Sequence, residues 1–226
     1  RILHKKPYIT FKVAISLDGK IALPNKNSKW ITSNLSRNFA HFLRSQSDAI
    51  MTSSNTIIND NSSLTCRLDG LYHYSPFKIV IDRNLKIKKN SNVFKSFYGE
   101  KTLIYFNSDI LKKKKKKLAS NKNIIYKDLK NVQEIEIDFW DSVLKDLCNY
   151  GINNLMIESG PVFINDLIKN KLVDEIAIFR SGKIIGNDGI PFIGNLSFND
   201  VSSLYDFELI DQKKFENDIF ELRKLK

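Results

Sequence analysis

The sequence predicts an α/β layered fold with a largely parallel central sheet and an antiparallel hairpin at its C-terminal edge. Three observations carry that expectation. Short β-branched or aromatic runs alternate with stretches of helical period, as in parallel sheets whose strands are joined by crossover helices. The last two apolar runs, Phe207–Ile210 and Asp218–Leu222, follow one another with no helix between them. No internal repeat and no Gly/Ser/Pro-rich linker interrupts the 226 residues, which points to a single domain over 1–226.

The segment Tyr8–Ser16 sets Ile9, Phe11, Val13 and Ile15 on one face and Thr10, Lys12 and Ala14 on the other, the period-two pattern of a strand. Asp18-Gly19 then makes a turn. Ser33 is a natural N-cap for a helix on which Leu35, Phe39, Phe42 and Leu43 recur at helical spacing. Strands are expected at Ala49–Thr52, Lys78–Asp82, Thr102–Phe106 and Asn123–Tyr126. A helix over about Phe139–Tyr150 turns Val143, Leu144 and Leu147 inward and stops at Gly151. Strand Asn154–Ile157 leads through Glu158-Ser159-Gly160-Pro161 into a helix carrying Phe163, Ile164, Leu167 and Ile168, and strand Val173–Phe179 follows. The lysine run Lys112–Lys117 lies between two apolar segments and reads as a solvated connector.

The 36 basic and 25 acidic residues leave a net charge of +11. Net charge speaks weakly to function, and the better residue for bidentate phosphate and base recognition, arginine, is scarce. Aromatics do not interleave with basic residues as a single-strand stacking platform requires. The expectation is therefore an ordinary lysine-rich surface with a taste for anionic small ligands, and neither a nucleic-acid nor a membrane partner. Two cysteines, Cys66 and Cys148, make no disulfide framework, and no apolar run nears the roughly 18–20 residues of a membrane span. A cytoplasmic setting is the matching expectation.

His4, His41 and His73 show no metal-ligand spacing, so no metal is expected. Walker, Gly-x-Gly-x-x-Gly and Gly-x-Ser-x-Gly motifs are missing from the sequence. The junction Ile157–Phe163 is more informative. A strand ends at a carboxylate, Glu158, and a glycine opens a helix with proline in its first turn, where the exposed amides suit an anion. An ordinary strand-to-helix turn has the same spacing. Lys12 could stand in a cleft beside a carboxylate, although most strand lysines face water. Arg44, Asp60 and Arg67 cluster around Ser53-Ser54-Asn55-Thr56, the mixture of fixed donors and hydroxyls that a phosphate ester needs, or a solvated loop.

A family resemblance favours the functional readings. Pro7–Lys20 (PYITFKVAISLDGK) resembles the opening of the reductase half of the bacterial riboflavin-biosynthesis deaminase–reductase. The likeness continues in order through Ser28-Lys29-Trp30-Ile31-Thr32, Leu43–Ile50, Thr56–Asp60, Leu64-Thr65-Cys66-Arg67 and Ile79–Asp82. It resumes at Glu158-Ser159-Gly160-Pro161, Leu172-Val173-Asp174-Glu175 and Lys183-Ile184-Ile185-Gly186. The middle third, Lys88–Asn153, is the least constrained.

The resemblance implies a dihydrofolate-reductase-like fold with helices on both faces of the sheet, and NADPH as hydride donor. It implies 5-amino-6-(5-phosphoribosylamino)uracil as substrate, the ribose being reduced to a ribityl chain. Carried over position by position, Ser28, Arg44, Leu64, Arg67 and Glu158 contact substrate. Ala14, Trp30, Thr56, Asp60 and the turn Gly160, Pro161, Val162, Phe163, Ile164, Asn165 and Asp166 contact NADPH. Lys12 and Glu158 are the candidate acid pair, with Asp60 as the other candidate. Arg83 stands where small hydroxyl residues are frequent and adds a cofactor-phosphate contact. Ser181-Gly182 replaces Ala-Pro, and Ser159 replaces Gly or Ala. The zinc-deaminase signature, a His-x-Glu with a Pro-Cys segment, is not in the sequence. A separate deaminase is then expected upstream, and a homodimer follows the family habit. The rival expectations are another reductase of the same fold, acting on dihydrofolate or on the undeaminated substrate, and a basic nucleic-acid-binding module.

Overall fold

Alternation along the first strand decides which of its sides becomes core. In the computed structural model, which describes residues 5–114, 121–131 and 139–226, Ile9, Phe11, Val13 and Ile15 are buried and Thr10, Lys12 and Ala14 are half-buried, as the period predicts. In chain order the elements are β1 (Tyr8–Ile15), β2 (Lys20–Ala22), α1 (Asn34–Ser45), β3 (Ala49–Ser53), α2 (Ser54–Asp60) and β4 (Phe77–Ile81). There follow β5 (Thr102–Phe106), α3 (Asp109–Lys114), β6 (Ile124–Asp128), α4 (Phe139–Cys148) and β7 (Asn154–Ile157). The chain closes with α5 (Pro161–Lys169), β8 (Glu175–Arg180), β9 (Ile190–Pro191), β10 (Phe207–Phe215) and β11 (Asp218–Leu225). The chain divides into two compact units: Arg1–Tyr8 with Phe42–Met156, and Ile9–His41 with Ile157–Lys226.

The first unit is built on the strand order β7-β3-β4-β5-β6. β3, β4, β5 and β6 pair in parallel, with Ile50 opposite Lys78, Val80 opposite Ile104 and Ile104 opposite Tyr126. Buried strands of this kind read as apolar runs because helices or loops cover both faces. On one face Ile50, Ile57, Val80, Val93, Ile104 and Phe106 form a continuous core. Val143, Leu144 and Leu147 of α4 are fully buried, as their spacing predicts. The Tyr105 hydroxyl donates to Asp146 of α4 at 2.6 Å, tying β5 to that helix. A buried ion pair also sits here. Lys78, inside β4, has no exposed side-chain surface and meets Glu100 at 3.0 Å. Burial alone would raise the Glu100 carboxyl, but amide donors such as Tyr98 and the Lys78 ammonium hold it below the usual carboxylate range.

The second unit carries β1, β8, β11 and β10 in neighbouring order, with β1 and β8 parallel and β8, β11 and β10 antiparallel. The expected C-terminal hairpin is therefore present. It is longer than its apolar residues suggest, because the polar stretch Asp211–Lys214 also pairs. Phe39, Phe179, Phe215 and Phe220 pack in one aromatic cluster with ring centroids 5.0–6.2 Å apart. Asp218, buried at the start of β11, accepts from the Ser33 amide at 2.6 Å and the Ser36 hydroxyl at 2.7 Å.

Some expectations are corrected. Ser33 does cap α1, accepting from the Ser36 amide, but Leu35 and Phe42 are exposed. The inward stripe of α1 is Ser36, Ala40 and Arg44, spaced four apart, with Phe39 and Leu43 half-buried beside it. Two of these three are polar and find partners inside, which a hydrophobic pattern cannot register. β8 starts two residues later than expected. Lys112–Lys114 belong to α3, so this part of the lysine run is helical; residues 115–117 lie outside the described residues. The short elements α2, β2 and β9 escape a periodicity reading.

Candidate active site

The predicted site residues fall into two groups, one in each unit. In the first unit, Arg44 ends α1 almost fully buried and its guanidinium donates to the Thr65 carbonyl at 3.0 Å. That bond joins Arg44 to the segment Leu64–Arg67, as the clustering of these residues suggests. Leu64 is buried with a positive φ of 55°, a conformation costly for a residue with a branched side chain and kept only where the surroundings impose it. Arg67, three residues on, is exposed. Thr56 lies in the first turn of α2, its amide and hydroxyl both within reach of the capping Ser53 hydroxyl, and Asp60 is the exposed last residue of the same helix. Arg83 follows the carboxyl end of β4. Its guanidinium lies 4.0 Å from the centre of the Phe139 ring, and its carbonyl accepts from Asn107. Arg83 is thus oriented by Phe139 rather than by the Arg44–Arg67 grouping.

In the second unit, Lys12 and Ala14 share the half-buried face of β1, with the Lys12 ammonium 5.5 Å from the Phe179 ring centre. Glu158 and Ser159 are half-buried between β7 and α5. Gly160 caps α5 without a side-chain hydrogen bond, and Pro161 opens it. The span Gly160–Asp166 is not uniform. Ile164 is wholly buried, and Asn165 accepts from the Gly194 amide at 3.0 Å, so these two side chains serve the fold. Val162 and Asp166 are exposed.

Ser28 is half-buried, and Trp30 is exposed with two cations near its ring. The Arg37 guanidinium is 4.4 Å and the Lys29 ammonium 5.9 Å from the ring centre. The residues of this unit suit a nicotinamide dinucleotide. A Cβ built on Gly160 would meet nothing within 4 Å, so the first-turn amides of α5 are not screened by a side chain. An exposed aromatic ring beside cations matches a stacking and phosphate-bearing ligand.

Sequence reasoning missed Asp18, which it treated only as half of a turn. Its carboxylate accepts from the Ser16 hydroxyl at 2.6 Å, the Ile185 amide at 3.1 Å and the Gly186 amide at 2.7 Å. The Ser16 hydroxyl first, then the two amides, bring its pKa down to about 2. The signal was present, because Leu17-Asp18-Gly19-Lys20 and Lys183–Gly186 are two of the quoted motifs. Their spacing gave no hint that they bond to each other. Among the described residues, no group of three or more His, Cys, Asp or Glu could hold a metal ion, and no helix is long and apolar enough to cross a membrane.

Residues 7–220 match the RibD C-terminal domain family. The chain is 33% identical over 218 residues to the riboflavin biosynthesis protein RibD of Aquifex aeolicus, covering 96% of this chain and 56% of that protein. It thus spans little more than half the length of that relative. The likeness to the 5-amino-6-(5-phosphoribosylamino)uracil reductase of Buchnera aphidicola from Acyrthosiphon pisum is 32% over 178 residues, 74% of this chain and 81% of that one. A crystal structure of a diaminohydroxyphosphoribosylaminopyrimidine deaminase/5-amino-6-(5-phosphoribosylamino)uracil reductase from Thermotoga maritima superimposes with a TM-score of 0.79. It is 23% identical, over 100% of this chain and 58% of that one.

Proposed function

Because the chain belongs to the RibD C-terminal domain family, we propose that it reduces the ribose of 5-amino-6-(5-phosphoribosylamino)uracil to a ribityl chain with NADPH. The observation that carries this reading is the match to 81% of a relative that bears the reductase's name alone. The arginine-anchored segment in one unit and the open helix start in the other supply the ligand chemistry it needs.

The nicotinamide cofactor, when bound, supplies the hydride. In the second unit Trp30, Ala14 and the first-turn amides of α5 would hold and orient it; Thr56, Asp60 and Arg83 of the first unit are the further candidate contacts. Arg67 offers an exposed guanidinium to the substrate's phosphate, while the Arg44 bond to Thr65 keeps that segment in place. Leu64 in the first unit and Ser28 in the second are the further candidate substrate contacts. Orientation of the reacting carbon supplies much of the rate in such transfers. A proton must also reach the ring oxygen or the imine nitrogen, and Lys12 with Glu158 provides it, Asp60 being the other candidate. A cytoplasmic setting and a homodimer complete the reading.

The test is a coupled assay. Freshly deaminated phosphoribosylaminopyrimidine is supplied and NADPH oxidation followed. Oxidation that requires both protein and substrate is the expected outcome. Turnover of only the undeaminated compound moves the substrate one step back. Failure with both, from a folded protein that binds nucleic acid with a steep salt dependence, replaces the reading.

A further inference from the structure

Three chain segments of the second unit meet through hydrogen bonds at the last rung of the β1–β8 pairing and beyond it. The Ser181 amide donates to the Ile15 carbonyl at 2.9 Å, and the Leu17 amide donates to the Lys183 carbonyl at 2.7 Å. One residue further, the Asp18 carboxylate gathers the amides of Ile185 and Gly186 while the Ser16 hydroxyl holds it from behind. The Lys183 amide donates to the Ser181 hydroxyl at 3.3 Å. Lys183 is therefore pinned on both sides along the backbone. Its ammonium donates to the Trp30 carbonyl at 2.7 Å, across 153 residues of sequence.

Surface lysines ordinarily spend their three donors on water. This one is committed to a carbonyl in a loop whose other hydrogen bonds, among the described residues, are local until the Ser33 amide reaches Asp218 at its end. Asn25 and Asn27 accept amides two residues ahead of them, and the Ile31 amide donates to the Ser28 carbonyl. The Trp30 ring is steadied from one side by Arg37, which also donates to the Thr32 carbonyl and to Asn34.

We infer that Lys183 is a positioning residue that fixes the main chain of the Trp30 loop, and that Asp18 acts through it by fixing the segment from which Lys183 reaches. This rests on the reading of Trp30 as a cofactor contact. The loop could otherwise swing as a local unit while Trp30 kept its side-chain surface. A lysine anchored at its own backbone turns the loop's position into a property of three strand-end segments together.

The chain has two tryptophans, and Trp140 is buried, so emission that acrylamide quenches reports on Trp30. In Lys183→Met the quenching of that component rises and the KM for NADPH increases about tenfold, with kcat within about twofold of the unaltered protein. Lys183→Arg, which keeps a donor, returns KM to within about threefold. Asp18→Asn moves both readouts in the same direction by less. Unchanged quenching and unchanged KM in Lys183→Met overturn the inference. So does a KM rise that Lys183→Arg does not correct and that comes with a fall in melting temperature, since that marks general loss of structure. Trp30→Ala separates the two claims. If it leaves the KM for NADPH unchanged while Lys183→Met still alters quenching, the cofactor reading of Trp30 falls and the anchoring by Lys183 stands.

Discussion

The two units hold their candidate residues by different means. In the first, Arg44 and Leu64 are buried and Leu64 joins the apolar core, so the 64–67 segment is set by packing and by polar contacts such as the Arg44 bond to the Thr65 carbonyl. In the second, Ser28 and Trp30 lie in the loop between β2 and α1 and Gly160 opens α5 after β7, and polar contacts such as Lys183 to the Trp30 carbonyl hold the loop. Packing is steep in distance and tolerates little displacement. Hydrogen-bonded loops are cheaper to move and open locally at smaller cost. On the proposed reading, the first arrangement would give a fixed seat to a phosphate and the second a more adjustable enclosure to a dinucleotide that must enter and leave.

The largest expected effect lies in the second unit. Glu158→Gln and Lys12→Met should each lower kcat by about 10²–10⁴ if they form the acid pair, with folding unchanged by circular dichroism. Should Asp60→Asn cost more than either, proton delivery belongs to the first unit and the division of labour drawn here fails. Next comes the first unit's core. Lys78→Ala leaves Glu100 buried without its partner and should destabilise by about 3–5 kcal/mol in urea unfolding. Replacing the pair together, by Lys78→Met with Glu100→Gln, should cost clearly less.

A smaller effect is expected at Asp218. Asp218→Ala strands the Ser33 amide and the Ser36 hydroxyl and should cost about 1–3 kcal/mol by the same measurement. The smallest concerns pH. The folded pKa of Asp18 is about 2, below its ordinary 3.8, so its contribution is complete above about pH 4 and disappears as pH falls toward 2. Asp18→Asn should lower stability slightly at neutral pH, where that contribution is complete, and flatten the acid limb so that the two proteins converge as pH falls toward 2. An unchanged acid limb would mean that the carboxylate does not hold the 185–186 segment in solution.

Much of the fold was legible because burial imposes a period. The alternation of β1, the inward triad of α4 and the Gly160-Pro161 helix start could each be read residue by residue. The exceptions share a cause. The inward stripe of α1 runs through Ser36 and Arg44, polar residues admitted to the interior by partners 182 and 21 residues away. Lys78 sits inside an apolar strand because Glu100 and the Lys95 carbonyl receive it. The candidate site divides in the same way. Its residue types could be named from motifs, whereas the commitment of Asn165 to Gly194 and of Lys183 to Trp30 could not.

By itself the sequence determined the order of the longer strands and helices, the parallel pattern with its closing hairpin, and the family. These depend on local period, turn chemistry and ordered motifs, which are properties of neighbours along the chain. Only the tertiary structure decided which polar groups go inside, which loops are anchored to which, and that Asp18 and Lys183 join two distant motifs. A buried or anchored polar group is stable only with its partner in place, and a partner far away in sequence leaves no mark on the residues beside it.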